Sequence, residues 1–460
     1  MARRGDSCQR EYRFRWNETL LSEVQMARHC ATFQISLGQH AAYSRVVQRL
    51  NARDHLTVLA LGGSAIYGAD CHDRRVAPQE CSFPGRFVRA LRLSYCMDEG
   101  YLKFVNHASG GQGTVAALPQ LQSLLMIGDP RFSAAPDLVI IDYSVNDVAS
   151  GTYLREQPIA GPAMVEAATE VMVRQILASF PATAILMVDQ ECRKLLEPRK
   201  RWETIEAHRR VAYAYGVPYL SYGGMLRGAC DEEAFGQDRA AQGMAIHPGA
   251  ITHQLTADAL AFFWWRGLSL LPRTSITSNV TSPDGHYITN ETLRSKLAIC
   301  QAVCRYDAHT LYAQPGTVSP GGCGALNNVT VLSGNFTLHE DRPGKPGWIT
   351  TGPVGSAIEF VLHFGASPRL TLVVEQSYEG FGLAEVTFGH AWLPRRNRAW
   401  VQGTRNDGRR ITTAEVISLN VQQVPGVTQG FGMLPHAQNQ RMRLTLRTAG
   451  KFKIRHISSC

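Results

Sequence analysis

Short apolar runs alternate with longer amphipathic stretches over residues 51–272. The runs LTVLAL, KFVNHAS, DLVIIDYS and TAILMVD are rich in Val, Ile and Leu without alternation, as expected for strands covered on both faces. The stretches between them, such as FPGRFVRALRLSY and PAMVEAATEVMVRQILASF, have a helical period. This pattern predicts a parallel sheet whose strands are joined by crossover helices.

The pattern changes on either side of this region. Residues 1–50 form an N-terminal extension that is helical in period from Asn17 onward, and residues 273–290 are polar and rich in turn residues, as in a linker. Residues 291–460 show period-two segments separated by Gly, Pro and Asn, which predicts an antiparallel β-sandwich. The most apolar window, residues 255–272, contains Asp258 and Arg266 and is too short for a membrane span.

Charge and composition narrow the class of protein. The formal net charge of +9 comes from scattered arginines, without zinc-finger spacing or a basic heptad region. We therefore expect no nucleic-acid partner, and attraction to acidic glycans or a membrane surface explains the charge equally well. The pattern leaves the oligomeric state open.

Cysteine usage favours an oxidising compartment. The chain has 11 cysteines and five N-x-Ser/Thr acceptors, at Asn17, Asn279, Asn290, Asn328 and Asn335. The first residues, MARRGDSCQREYRFRW, lack the apolar core of a signal peptide, so either a preceding segment is missing or the protein is not secreted. A late group (Cys300, Cys304, Cys323 and Cys460) fits disulfides better than zinc, because it contains no CxxC pair and no neighbouring His.

The first apolar run ends in two glycines and a serine, Gly62, Gly63 and Ser64. A serine directly after a parallel strand lies at the edge where open α/β sheets bind ligands. The glycine spacing excludes a dinucleotide fingerprint, and the absence of a Lys-Ser/Thr pair excludes a phosphate loop. The GxSxG elbow is excluded because Ile66 stands where its last glycine belongs. A plain strand-ending turn remains the alternative for this stretch alone.

Three later segments weaken that alternative. FVNHASGGQGT ends a strand in glycines, DLVIIDYSVNDV ends one in Ser144, Asn146 and Asp147, and MAIHPGAITH presents His247 ahead of a helix. In a parallel sheet these ends converge on one edge. Acyl transfer needs such a set: a nucleophile, a base and donors for the oxyanion.

These segments resemble the sequence blocks of the SGNH hydrolases, also called GDSL-type lipases and esterases. GGSAIYG is similar to the first block, Gly111 in NHASGG matches the second better than Gly110, and SVND is similar to the third with Ser144 in place of its glycine. HPGAITH is similar to the fifth block from its histidine onward. The resemblance covers about the first 270 residues and implies a three-layer α/β/α, flavodoxin-like parallel sheet.

The resemblance also implies roles for individual residues. Ser64 is the expected nucleophile and His247 the base, while the N–H groups of Ser64 and Gly111 and the amide of Asn146 form the expected oxyanion hole. No metal or cofactor is expected. Asp147 is expected to order the loop by accepting backbone N–H groups, and His253 to form a structural hydrogen bond at the following helix.

One position departs from the family pattern. Met244 stands three residues before His247, where the family has an acid. Asp238 is our choice of substitute, with Asp231, Glu232 and Glu233 nearby. A backbone carbonyl that orients a Ser–His dyad, or an impaired enzyme, are the alternatives.

Two structural expectations complete the prediction. Cys71 and Cys81, just after Ser64, are expected to form a disulfide, with a reactive thiol as the rival. The aromatic residues Trp348, Tyr378, Trp392 and Trp400 could form a sugar-stacking platform, although core packing explains most of them.

The sequence thus predicts a lumenal or secreted serine esterase acting on an ester, with an acetylated glycan as the candidate substrate. A catalytically weak glycan-binding or structural protein and an O-acyltransferase are the alternatives.

Overall fold

A computed structural model of the chain describes residues 35–69, 71, 77–127, 135–151, 161–190, 198–222, 247–268, 273–274, 309–312, 329–341, 345–362, 369–377, 380–388, 398–404, 413–420 and 440–459. Its contacts form two units, residues 1–114 with 131–289 and residues 115–130 with 290–460. The domain boundaries expected at residues 51, 272 and 291 stay predictions.

The first unit alternates strands and helices. Its strands are β1 (Ile35–Ser36), β2 (Leu56–Gly62), β3 (Leu102–Asn106), β4 (Leu138–Asp142), β5 (Ala184–Asp189), β6 (Tyr219–Ser221) and β7 (Arg273–Thr274). Its helices are α1 (Leu37–Ala52), α2 (Ser64–Tyr67), α3 (Pro78–Cys81), α4 (Phe83–Tyr95), α6 (Ser144–Gly151), α7 (Gly161–Ser179), α8 (Pro198–Ala214) and α9 (Ala250–Phe262), the last continued by a π-helical turn (Phe263–Gly267). Helix α5 (Thr114–Ile127) starts in this unit, and its later residues group with the second.

Five strands form a parallel sheet in the order β3-β2-β4-β5-β6, which confirms the predicted α/β class. Every residue of β4 and β5 is buried, because both faces of the sheet are covered. Strand β2 pairs with β3 on one side and with β4 on the other. The edge between β2 and β4 is therefore the switch point at which sheets of this order bind their ligands.

Local sequence signals explain where helices begin and end. The Ser36 hydroxyl accepts the N–H of Gln39 at 3.2 Å and caps α1, which ends at Arg53 in the left-handed region (φ 57°). Helix α4 has a proline in its first turn, where no N–H is needed. Strand β6 was missing from the prediction because a run of three residues is too short to show a period.

The second unit consists of antiparallel strands. They are β8 (His309–Tyr312), β9 (Val329–Ser333), β10 (Thr337–Glu340), β11 (Pro346–Thr350), β12 (Ala357–Leu362), β13 (Arg369–Gln376), β14 (Leu383–Phe388), β15 (Arg398–Gln402), β16 (Thr413–Asn420), β17 (Gln440–Leu446) and β18 (Phe452–Ser459). One sheet has the order β10-β11-β18-β13-β16, with β8 also paired to β18, and the other has the order β15-β14-β17-β12-β9. A single core takes side chains from both sheets, as in a β-sandwich, and includes Phe360, Leu372, Leu444 and Phe452.

The predicted aromatic platform is only partly described. Trp348 packs against the core, edge to face with Phe360 at 6.3 Å between ring centroids, as core packing predicts. Trp400 on β15 is 58% exposed. Tyr378 and Trp392 lie outside the described residues. Of the five glycosylation acceptors, Asn335 alone falls within the described part of the chain, and it is exposed.

In the described part of the chain, no helix is both long and apolar enough to span a bilayer.

Candidate active site

Ser64 lies at the carboxyl end of β2, where it opens the single-turn helix α2. The turn closes through the N–H of Tyr67 to the carbonyl of Gly63 (3.1 Å) and ends at Gly68, whose φ of 84° favours glycine. Ser64 is buried, at 2% exposure. The strand thus delivers this hydroxyl to the switch point of the sheet.

Asn146, in the first turn of α6, lies beside Ser64. Its Oδ1 accepts the backbone N–H of Ser64 at 3.2 Å and lies 3.4 Å from the Ser64 hydroxyl. A Cβ on Gly63 would overlap Asn146 Oδ1 and lie 2.9 Å from the Gln112 carbonyl oxygen. Only glycine at position 63 therefore lets Asn146 approach the serine.

The loop after β3 forms the third part of the site. The N–H of His107 donates to the Ala60 carbonyl at 2.8 Å and that of Ser109 to the Gly62 carbonyl at 2.9 Å. These two bonds extend the pairing of β3 with β2 up to the residues that precede Ser64. Gly111 in this loop has a φ of 76°, a conformation that favours glycine.

Asp147 orders this loop, as predicted. Its Oδ1 accepts the backbone N–H of Thr114 at 2.7 Å, and its Oδ2 accepts the Thr114 hydroxyl. A Cβ on Gly113 would overlap Asp147 Oδ1, so glycine is needed there too. The same carboxylate contacts the His208 ring, with 3.0 Å between Oδ2 and Nε2.

Two more buried carboxyls end strands at this edge of the sheet. Asp142, the last residue of β4, accepts the N–H and the hydroxyl of Ser144 at 2.9 and 2.7 Å through Oδ1, while its Oδ2 has no hydrogen-bond partner among the described residues. Asp189 ends β5 and accepts the Tyr219 hydroxyl at 3.1 Å. Burial, with the charge of Asp189 and against the hydrogen bonds from Ser144, raises the pKa of Asp142 to about 7.

The Asp142→Asn variant is expected to gain stability at high pH. Because the pKa of Asp142 in the folded state lies above that in the unfolded chain, its contribution to folding is full below about pH 4 and is lost as the pH rises to about 7. Asn does not ionise, so the variant should gain about 1 to 3 kcal/mol over the wild type at pH 8 relative to pH 4. Urea unfolding at both pH values measures this difference. Asp54→Asn, on an exposed residue, is the control, and equal gains at both pH values would contradict the prediction.

His247 precedes α9. It is half-buried, and it lies near enough to His253 to act on the charge of that ring. His253 has the predicted structural role, because its Nδ1 accepts the N–H of Phe83 at 3.2 Å. Burial, together with the charges of Arg86 and His247, lowers the pKa of His253 to about 3 and keeps its ring neutral.

The expected acid falls on positions without a structural description. Asp238, its alternatives Asp231, Glu232 and Glu233, and Met244 all lie outside the described residues. The role of Asp238 stays a prediction.

A disulfide joins Cys71 to Cys81, which confirms the expected pairing over the rival reactive thiol. The guanidinium of Arg86 lies against this bridge, with Nη2 3.4 Å from Cys81 Sγ. Arg86 also donates to the Cys81 carbonyl at 2.6 Å and to Gln254 Oε1 of α9 at 2.5 Å. The segment after Ser64 is thereby tied to the helix that follows His247.

The Cys71→Ser, Cys81→Ser double variant should lose about 3 kcal/mol of stability, because the bridge closes a short loop with a sequence separation of 10. Urea denaturation under non-reducing conditions measures the loss. Reduced wild type should approach the variant. An unchanged midpoint, or peptide mapping that finds both cysteines free in the wild type, would contradict this prediction.

The structure brings Ser64, Asn146 and the Gly111 loop together. Sequence reasoning missed His208, Asp142 and Asp189 at the same edge. His208 did give a signal, because it lies on the buried stripe of α8 with Ile205 and Val211. A titratable group on an apolar helix face calls for a buried partner.

Comparisons with known proteins agree with this fold. The model of the GDSL-like Lipase/Acylhydrolase family matches residues 60–255. A search of curated proteins found no match. Among solved structures, a two-domain esterase (CEX) active on acetylated mannans, co-crystallised with mannopentaose, is 15% identical with a TM-score of 0.54, over 91% of this chain and 94% of that chain.

Two further solved structures each cover about half of the chain. An acetyl xylan esterase from Geobacillus stearothermophilus is 16% identical, with a TM-score of 0.33 over 48% of this chain and 98% of its own. A family two carbohydrate esterase from Clostridium thermocellum, in complex with cellohexaose, is 15% identical, with a TM-score of 0.33 over 47% of this chain and 65% of its own.

The parallel sheet with a serine at its switch point agrees with this family match. Residues 60–255 match the GDSL-like lipase/acylhydrolase family, as the sequence blocks predicted.

Proposed function

We propose that the protein is a serine esterase that removes acetyl groups from a polysaccharide. The observation that carries the proposal is the placement of Asn146 against Ser64 at the switch point, within a domain of an acylhydrolase family. The oxidising compartment expected from the cysteines fits an extracellular or lumenal site of action, and the Cys71–Cys81 disulfide supports it.

In the proposed reaction, the Ser64 hydroxyl oxygen attacks the ester carbonyl carbon and its proton passes to His247. The tetrahedral intermediate collapses, and the leaving sugar oxygen takes that proton. Water then gives a proton to His247 and adds to the acyl carbon, and this proton passes to the Ser64 oxygen as its bond to the acyl carbon breaks and acetic acid departs. The proton that leaves with the sugar is thus replaced by one from water.

The oxyanion of the intermediate needs donors at the same point. In the structure the Ser64 N–H donates to Asn146 Oδ1, so the resting amide presents its oxygen to the serine. Rotation of the Asn146 amide about its terminal torsion exchanges Oδ1 for Nδ2, frees the Ser64 N–H and supplies a second donor. The Gly111 N–H is the proposed third. Each donor is worth about 3 to 4 kcal/mol in the transition state.

The substrate class rests on a likeness of fold. The esterase active on acetylated mannans shares the fold of both units of this chain, which supports an acetylated polysaccharide as the substrate. The exposed Trp400 of β15 adds an aromatic face of the kind that stacks on sugar rings. We place no residue of the second unit in the reaction.

The test combines turnover with covalent trapping. Purified protein should hydrolyse a small activated acetyl ester and release acetate from acetylated mannan. A fluorophosphonate reagent should add to Ser64, as mass spectrometry of the peptide containing residues 56–69 would show. Trapping without acetate release, but with acetyl transfer to added oligosaccharide, would favour an O-acyltransferase. Neither trapping nor turnover would overturn the proposal in favour of a binding protein.

A further inference from the structure

A buried histidine, His208, lies behind the loop that carries Gly111. We propose that His208 is a positioning residue: through Asp147 it fixes the backbone of Gly113 and Thr114, and thereby the oxyanion side of the site. The inference rests on the proposed function in its catalytic part. Its structural part stands on the contacts alone.

His208 is in direct contact with Asp147. His208 is 4% exposed on α8, and its Nε2 lies 3.0 Å from Asp147 Oδ2. Both Asp147 oxygens accept hydrogen bonds, so this ring nitrogen carries the proton and donates it to the carboxylate. The orientation of the carboxylate is thus set from the α8 side.

Asp147 in turn contacts the loop that carries Gly111, at Gly113 and Thr114. The carboxylate holds both the N–H and the hydroxyl of Thr114, and the missing Cβ of Gly113 lets the backbone lie against Oδ1. Gly111 lies two residues earlier, so a shift at Gly113 moves the proposed N–H donor. Errors of about 1 Å in such a donor cost much of its effect.

Asp147 is also linked to Asn146 through the backbone of α6. The two residues are consecutive in the first turn of α6, and both N–H groups donate to the Tyr143 carbonyl, at 3.0 and 2.9 Å. A change in the Asp147 side chain is therefore transmitted to the turn that aims the Asn146 amide at Ser64. His208 thus supports both of the other proposed oxyanion donors, the Gly111 N–H and the Asn146 amide.

The charges around His208 favour this arrangement. Burial lowers the pKa of His208, but the hydrogen bond to Asp147 and the charges of Asp147, Asp189 and Asp142 outweigh it and raise the pKa. On its own helix, Glu206 and Arg209 pair with each other on the exposed side. The imidazolium is thus stabilised by carboxylates of α6, β4 and β5.

Kinetics of two variants test the catalytic part. His208→Leu removes the donor, and His208→Gln retains an N–H near the position of Nε2. The Leu variant should lower kcat for a small activated acetyl ester about 10- to 100-fold with KM changed less than about threefold, and Gln should recover most of the loss. His55→Leu, on an exposed histidine, is the matched control. A Leu variant with wild-type kcat, or a loss that Gln does not recover, would overturn the proposal.

Hydrogen exchange tests the structural part without any turnover. In His208→Leu the amide of Thr114 should exchange at least about tenfold faster than in the wild type, and in His208→Gln it should stay protected. Equal exchange in all three proteins would overturn the proposal even if the enzyme is active. If the wild type is inactive but shows this exchange pattern, the proposed esterase function is overturned. The structural role of His208 in holding Thr114 is still supported.

A second pair of variants guards against a Leu variant that does not fold. Thr114→Val removes only the hydroxyl held by Asp147 Oδ2, and Thr114→Ser retains it. The Val variant should lower kcat about three- to tenfold and the Ser variant less than about twofold. Equal kcat in both would overturn the role of this network.

Discussion

Replacing Ser64 with alanine should lower kcat for acetyl ester hydrolysis on the order of 10⁴- to 10⁶-fold. The variant loses the only atom that forms the covalent bond in the proposed reaction, while Asn146 and the Gly111 loop remain to bind substrate. KM should therefore change little. Stopped assays of acetate release against a blank measure the residual rate.

His247→Ala should cost about as much, and the double variant no more than either single one. Two groups that act as a unit show such non-additive losses. Ser44→Ala on α1, where the hydroxyl donates to the His40 carbonyl at 2.9 Å, is the matched control and should retain full activity. Multiplicative losses in the double variant would show that His247 is not the base of Ser64.

The second large effect is expected at Gly63. A methyl group there would overlap Asn146 Oδ1 and contact the Gln112 carbonyl oxygen too closely. Gly63→Ala therefore pushes Asn146 away from Ser64. We expect kcat to fall on the order of 10²- to 10³-fold, as for loss of an oxyanion donor, and stability to fall by about 1 to 3 kcal/mol.

Gly38→Ala supplies the control for this change. Among the described residues, no atom lies within 4 Å of a Cβ at Gly38 in α1, so the variant should keep its kcat and gain up to about 1 kcal/mol from helix propensity. A Gly63→Ala variant with wild-type kcat would mean that Asn146 does not need its present place. Urea denaturation of both variants separates the loss of stability from the loss of rate.

The placement of residues at strand ends could be predicted from the sequence because it depends on local order. A continuous apolar run followed by Gly63 and Ser64 indicates a buried strand that ends in a turn at the edge of the sheet. The same holds for the run that leads to Asn146. Parallel pairing then requires that the two ends meet, and the 3.2 Å contact confirms it.

The charged contacts were not accessible in this way. Strand β18 reads as a mixed segment because Lys453 and Arg455 interrupt its apolar residues, yet Lys453 is fully buried against Asp341 and Glu375. Those carboxylates lie more than 70 positions away in sequence, on other elements. His208 and Asp147, 61 residues apart, pose the same difficulty, since no local period announces a partner so distant.

The strand order also governs how activity returns on refolding. Ser64 and Asn146 are 82 positions apart and meet only when β4 has docked beside β2. In a chain whose β2 had paired with β3 alone, the serine would have no amide beside it. Non-local pairing of this kind closes late. During refolding, turnover should therefore recover later than the far-UV circular dichroism signal. The delay would report when β4 pairs with β2.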